Sequence, residues 1–214
     1  NFILATAEHN AVAWRRQAPV LPEFSLDHQD GIGLVTYGPG NNRIVTATVK
    51  GSVHLWNATG GESIAELSGE GGPATKVIFS PDGGQIATTT NDLHLHLWNA
   101  NDGKHLQQIG PFPSPVLEVA FHPANPWIFI ASHPSIDGRA NTTATLVQAW
   151  DALTGTPTGP PMEIHGQIRS LAVHPDGQRL LFHVDIDTTN VNGGHAQFWN
   201  IEDRTPTPVI FRQQ

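Results

Sequence analysis

The apolar positions along residues 74–109 fall into short runs separated by turn-forming residues. Ala74-Thr75-Lys76-Val77-Ile78-Phe79 ends in a bulky apolar run, Ser80-Pro81-Asp82-Gly83 interrupts it, and Ile86-Ala87-Thr88-Thr89-Thr90 resumes it with β-branched residues. After Asn91-Asp92, the stretch Leu93-His94-Leu95-His96-Leu97-Trp98 alternates with period two. That period puts Leu93, Leu95 and Leu97 on one face and His94, His96 and Trp98 on the other. A turn at residues 99–103 precedes a fourth run, Lys104 to Ile109. Each run predicts a strand and each break has turn chemistry: proline presets φ, aspartate bonds its own backbone, and glycine accepts a positive φ.

The same order recurs along the chain. Tryptophans stand at Trp14, Trp56, Trp98, Trp150 and Trp199, in steps of 42, 42, 52 and 49. Tyr37, Phe79, Phe121 and Val173 each follow a tryptophan by 23 residues, and Ile44, Ile86, Ile128 and Leu180 lie seven further on. From that aliphatic residue to the next tryptophan the distance is 12, 12, 22 and 19, so the length variation sits between the second and third strands. Repeats of about 40–45 residues with four strands each indicate blades that share a core with their neighbours. The repeats divide the chain into residues 1–29 (three strands), 30–71, 72–113, 114–165 and 166–214.

With its Phe79-Ser80-Pro81-Asp82-Gly83 turn and closing Trp98-Asn99, the repeat resembles those of the WD-repeat β-propellers, and the resemblance covers nearly the whole chain. It implies an all-β fold of four complete four-stranded blades plus one three-stranded partial blade. The family's closing Trp-Asp is kept only as Trp150-Asp151, beside Trp14-Arg15, Trp56-Asn57, Trp98-Asn99 and Trp199-Asn200. Its Gly-His pair is eroded to Gly69-Glu70 in one repeat and reversed as His165-Gly166 in another; its turn aspartate survives as Asp92 but is replaced by Lys50 and Glu8. The resemblance therefore implies a side-chain network that is incomplete in most blades. The five repeat tryptophans are the expected structural residues, with Trp14 more exposed than Trp56, Trp98, Trp150 and Trp199, and Trp127 at a turn. The stretch from Leu153 to Met162, Leu-Thr-Gly-Thr-Pro-Thr-Gly-Pro-Pro-Met, looks like linkers of large bacterial WD-repeat proteins. Because the first repeat enters at its second strand, the leading reading is a portion of a larger propeller. A closed five-bladed ring is the alternative. In the leading reading the unpaired edge from Phe2 to Ala7 is expected to pair with upstream residues of the parent chain or to self-associate with a second copy, whereas a closed ring would cover it within the chain.

Composition narrows the function. Lys+Arg 11 against Asp+Glu 19 gives a net charge of −8, which repels phosphate backbones and excludes nucleic acid as the expected partner. There are no cysteines and no apolar run of the ~20 residues a membrane helix needs, so no disulfide framework and no membrane partner is expected. A cysteine-free chain suits any redox compartment, so localisation is left unassigned, with the cytoplasm favoured. No nucleophile elbow, zinc-protease helix, phosphate loop or dinucleotide fingerprint occurs, so no catalytic residue and no cofactor is assigned. The 12 histidines, among them His94, His96, His133, His183 and His195, raise zinc as a possibility without a defined ligand set.

The two inserted connections, residues 133–143 and 185–195, are the candidate interaction loops, since long polar loops on a rigid scaffold carry binding residues. Their candidate contacts are His133, Asp137, Arg139, Asn141, Asp185, Asp187, Asn190, Asn192 and His195. These point to a non-catalytic scaffold that binds a protein partner or a neighbouring domain of the parent chain. The alternative is a ligand- or metal-binding accessory propeller of a larger enzyme or sensor.

Overall fold

The computed structural model describes residues 2–7, 10–15, 24–67, 72–136, 138–185 and 194–212. Antiparallel strands dominate these residues, with one 3-10 turn at Pro39–Asn41. The chain divides into two compact units, Asn1–Gln108 and Ile109–Gln214.

The first unit opens with a three-stranded sheet of Phe2–Ala7, Asn10–Arg15 and Phe24–Asp27. The second sheet contains Ile32–Tyr37, Arg43–Thr48, Val53–Asn57 and Ser63–Glu66; the third contains Lys76–Phe79, Gln85–Thr89, Leu95–Asn99 and His105–Ile109. In the second unit, Val116–Phe121, Trp127–Ser132, Ala144–Asp151 and Met162–His165 form the fourth sheet. Gln167–Val173, Arg179–Asp185, Gly194–Asn200 and Pro206–Arg212 form the fifth. Strands in every one of these sheets lie in chain order, the up-and-down arrangement of a propeller blade.

Register explains why the spacings are so regular. Tyr37 faces Ile44, which faces Trp56; Phe79, Ile86 and Trp98 repeat the row in the third sheet. In the second unit the rows are Phe121-Ile128-Trp150 and Val173-Leu180-Trp199. The central residue of each row, Ile44, Ile86, Ile128 or Leu180, is completely buried. A slip of one residue would turn it to the other face, so the spacing is held by burial.

Inside the first unit, Leu26, Ile44, Trp56 and Ala58 pack between the first and second sheets, and Val45, Leu55, Ile86 and Trp98 between the second and third. The second unit has its own core of Phe129, Val147, Ile164, Leu171, Leu180 and Phe182. Each fully buried Val, Leu, Ile or Phe among them contributes roughly 1.5–3 kcal/mol.

Leu93 departs from the alternating strand expected of residues 93–98. It takes φ 66° in the turn, and the strand begins at Leu95. The cause is Asp92, whose Oδ1 accepts from Thr90 Oγ1 at 2.6 Å and from the His94 backbone N–H at 3.0 Å, closing the turn around Leu93. The Ser80-Pro81-Asp82-Gly83 turn is built as its residues suggest: Asp82 Oδ1 accepts from Ser80 Oγ and Gly84 N, and Gly83 holds φ 73°.

Candidate functional site

The first inserted connection forms a small hairpin, Ser135–Ile136 against Arg139–Ala140. His133, expected as a contact residue, is instead 8% exposed and anchors the base of this hairpin. Its backbone N–H donates to Ser114 Oγ at 2.8 Å, and its Nδ1 lies 2.8 Å from the Ala144 carbonyl. Asn141 closes the hairpin: its N–H donates to Pro134 O, and its Oδ1 accepts from Thr143 N and Thr143 Oγ1. Arg139 is exposed at the outer arm. Asp137 lies outside the described residues, as do Asp187, Asn190 and Asn192 of the second insertion. Asp185, at the end of its strand, accepts from Arg169 Nε at 2.6 Å with His183 Nε2 3.5 Å away. His195 is half-buried in a strand, opposite Val184.

The repeat tryptophans mark a change of chemistry between the two units. In the second sheet, Trp56 Nε1 donates to Thr46 Oγ1 at 2.8 Å, and His28 Nε2 lies 3.0 Å from the same hydroxyl. In the third, Trp98 Nε1 donates to Thr88 Oγ1 at 2.9 Å. Positions matching these threonines in the second unit carry Ile130 and Phe182, both buried. Positions matching His28, nine residues before each first-row aromatic or valine, are Glu70, Phe112 and Ile164. Phe112 packs edge-on to Trp150 with ring centres 5.7 Å apart, and Phe182 packs on Trp199 at 5.9 Å. The indole N–H of Trp199 is buried without an acceptor among the described residues, the direct cost of that change. The side chain of Trp14 lies outside the described residues, and Trp127 opens a strand directly after the residue 122–126 turn.

The histidine-rich strand of the third sheet is a polar network. His96 Nε2 lies 3.1 Å from Asp92 Oδ2, and His96 Nδ1 lies 3.4 Å from His105 Nε2. Burial pushes the Asp92 carboxyl up, but hydrogen bonds from Thr90, His96 and the His94 N–H outweigh it and leave the group below its ordinary value. Burial, then the neighbouring His96, pushes His105 down. Among the described residues no three His, Asp or Glu side chains converge as metal ligands.

A fourth feature sits at the opposite end of the second unit's strands from the hairpin. The fourth strand begins seven residues after Trp56, Trp98 and Trp199, at Ser63, His105 and Pro206, and Trp150 likewise bridges Pro157, seven residues on; there the ladder then breaks and resumes at Met162 opposite Val147. Pro160 and Pro161 have no N–H to give to a ladder, so Gly159-Pro160-Pro161 stays outside the sheet. Gln148 Nε2 bonds the Gly159 carbonyl in its place. A cavity of about 560 Å³ lies beside this break, between the fourth and fifth sheets, with Trp127, Phe129, Val147, Met162 and Ile201 as its apolar wall. His122 lies at its edge: Nδ1 accepts from Ala124 N and Asn125 N, which leaves the proton on Nε2 to bond Gly177 O at 2.9 Å. Both ring nitrogens are therefore engaged.

Arg204 is the half-buried cation of the cavity. Its backbone takes φ 57°, where the matching turns of the other sheets carry Gly61, Gly103 and Gly155 at φ 77°, 72° and 69°. A side chain in this left-handed region costs about 1–2 kcal/mol, which glycine avoids.

Residues 61–99 match the WD domain, G-beta repeat family, running from a third-to-fourth-strand turn of one sheet to the Trp98-Asn99 pair of the next. No match to a curated protein was found.

Proposed function

With a WD repeat at residues 61–99 and blade-type sheets on either side of it, the chain is, we propose, a non-catalytic interaction scaffold that takes a protein partner or a neighbouring domain of its parent chain. The observation that supports this most is the hairpin of residues 135–140. Its base is fixed by the buried His133 and Ser114, while Arg139 stands exposed at its arm. A rigid base with a solvent-facing tip presents side chains at low ordering cost, which is what a recognition loop requires. The second insertion begins after Asp185, at the end of a strand of the neighbouring sheet.

Site-specific photo-crosslinking tests this reading. A benzoylphenylalanine is placed at Arg139, and in a second sample at Leu153, which is also exposed but lies at the other end of the strands. The expected result, in the parent cell, is one discrete adduct from position 139 that a shortened hairpin abolishes. Equal adducts from both positions would reject the hairpin as the recognition surface.

A further inference from the structure

The cavity of the second unit is independent of the hairpin, and we propose that it is a binding site for a small apolar carboxylate, with Arg204 as the residue that recognises the carboxylate. Volume comes first: about 560 Å³ lies within the range of sites that enclose small organic ligands, about 300–1,000 Å³. Its wall is apolar on one side, where Trp127, Phe129 and Met162 lie, and receives a guanidinium on the other.

Three observations make Arg204 the recognition group. First, it occupies a left-handed turn position that is glycine in three matching turns of this chain, so the sequence keeps an arginine where the backbone disfavours one. Strain held at a cavity is a mark of a functional position. Second, the guanidinium is incompletely used. Nη1 donates to Pro160 O at 2.7 Å, its one hydrogen bond among the described residues, although an arginine carries five N–H donors in a planar fork. Third, the opposing loop leaves room for it. A Cβ built on Gly159 would fall onto the Arg204 guanidinium, so glycine there acts as a cradle for the cation.

Asn125, Thr158, Gln178 and Asn200 add uncharged polar groups to the lining, so the other ionisable groups, His122 and Glu202, bear on the sign of the ligand. His122 has both ring nitrogens engaged with the backbone and so offers no free donor. Glu202 belongs to the lining but is exposed to solvent, whereas Arg204 is half-buried. An anionic head therefore meets the less solvated charge, and the apolar tail meets Trp127 and Met162. Glu202 lowers affinity for such a ligand.

The test uses the 214-residue chain, 4-phenylbutyrate as probe and 4-phenylbutylamine as its oppositely charged control, followed by ¹H–¹⁵N spectra of indole and arginine Nε resonances. The expected result is saturable shifts of the Trp127 indole and Arg204 Nε–H with the acid and none with the amine. Arg204→Gly restores the residue the turn prefers, so it should fold and weaken acid binding at least tenfold. Gly159→Ala should weaken it similarly by displacing the guanidinium, and Glu202→Gln should strengthen it. Equal binding of acid and amine, wild-type affinity in both Arg204→Gly and Gly159→Ala, or the lack of saturable shifts with the acid would each overturn the assignment.

Discussion

Replacing Thr46 by valine removes one hydroxyl and little else, because the two side chains have nearly the same shape and both favour strands. That hydroxyl joins two partners, accepting from Trp56 Nε1 at 2.8 Å and lying 3.0 Å from His28 Nε2, at a site with no solvent exposure. Valine leaves the buried indole N–H without an acceptor and His28 without its partner. An unsatisfied buried donor costs about 1–3 kcal/mol, so Thr46→Val is expected to lose about 2–3 kcal/mol. Thr88→Val strands only Trp98 Nε1, bonded at 2.9 Å, and is expected to lose about 1–2 kcal/mol by the same reasoning. Thr46→Ser keeps the oxygen and should recover most of the loss. Urea titration followed by tryptophan fluorescence gives the three values, with the slope checked for a change in unfolding mechanism. Equal losses for the two valine variants, or a serine variant as unstable as valine, would refute the shared-acceptor account.

The same side chains predict pH and backbone effects. Burial, then the nearby His54, pushes His28 down despite Asp27, and burial with His96 pushes His105 down. Both are kept neutral, so their stabilisation is complete above the ordinary value of 6.5 and is lost as pH falls from there through the folded values. The melting temperature should fall between pH 7 and pH 5, and the double variant His28→Gln/His105→Gln should flatten that slope; an unchanged slope contradicts it. Gly103→Ala forces a side chain into φ 72° and against Ala65 and Leu67, and should destabilise by about 2 kcal/mol or more, whereas Arg204→Gly should stabilise by about 1 kcal/mol in the same denaturation assay. His133→Ala should speed amide exchange at Asn141 while leaving Val147 protected, since His133 anchors only the hairpin base.

The blade-type fold was legible because burial enforces it. Rows such as Tyr37-Ile44-Trp56 must keep one face inward, so their spacing appears in the chain as a fixed interval. What regular spacing concealed was the break in the ladder around Pro160 and Pro161. Trp150 still bridges Pro157 seven residues on and the interval of 23 from Trp150 to Val173 survives, so nothing in the spacing announces a cavity. His28 escaped notice because it follows Asp27 rather than glycine; its place nine residues before Tyr37 was the available signal. His133 was misjudged for the opposite reason: it stands at the mouth of a polar loop, yet its bonds to Ser114 and Ala144 turn it inward. Arg204 carried a signal in full view, an arginine at a position that is glycine in three other turns. Its meaning depends on Pro160 and Gly159, 44 and 45 residues earlier in the chain, which only the folded sheets bring to it.

The scaffold reading is tested most directly by measuring the affinity of the protein crosslinked from position 139 for the wild-type chain and for a variant in which residues 134–142 are cut to an Asn-Asp connection like that at Asn91-Asp92. The account predicts loss of binding with the tryptophan-reported melting curve unchanged, because the rows that hold the sheets lie away from the hairpin. Retained affinity in a folded variant would contradict it.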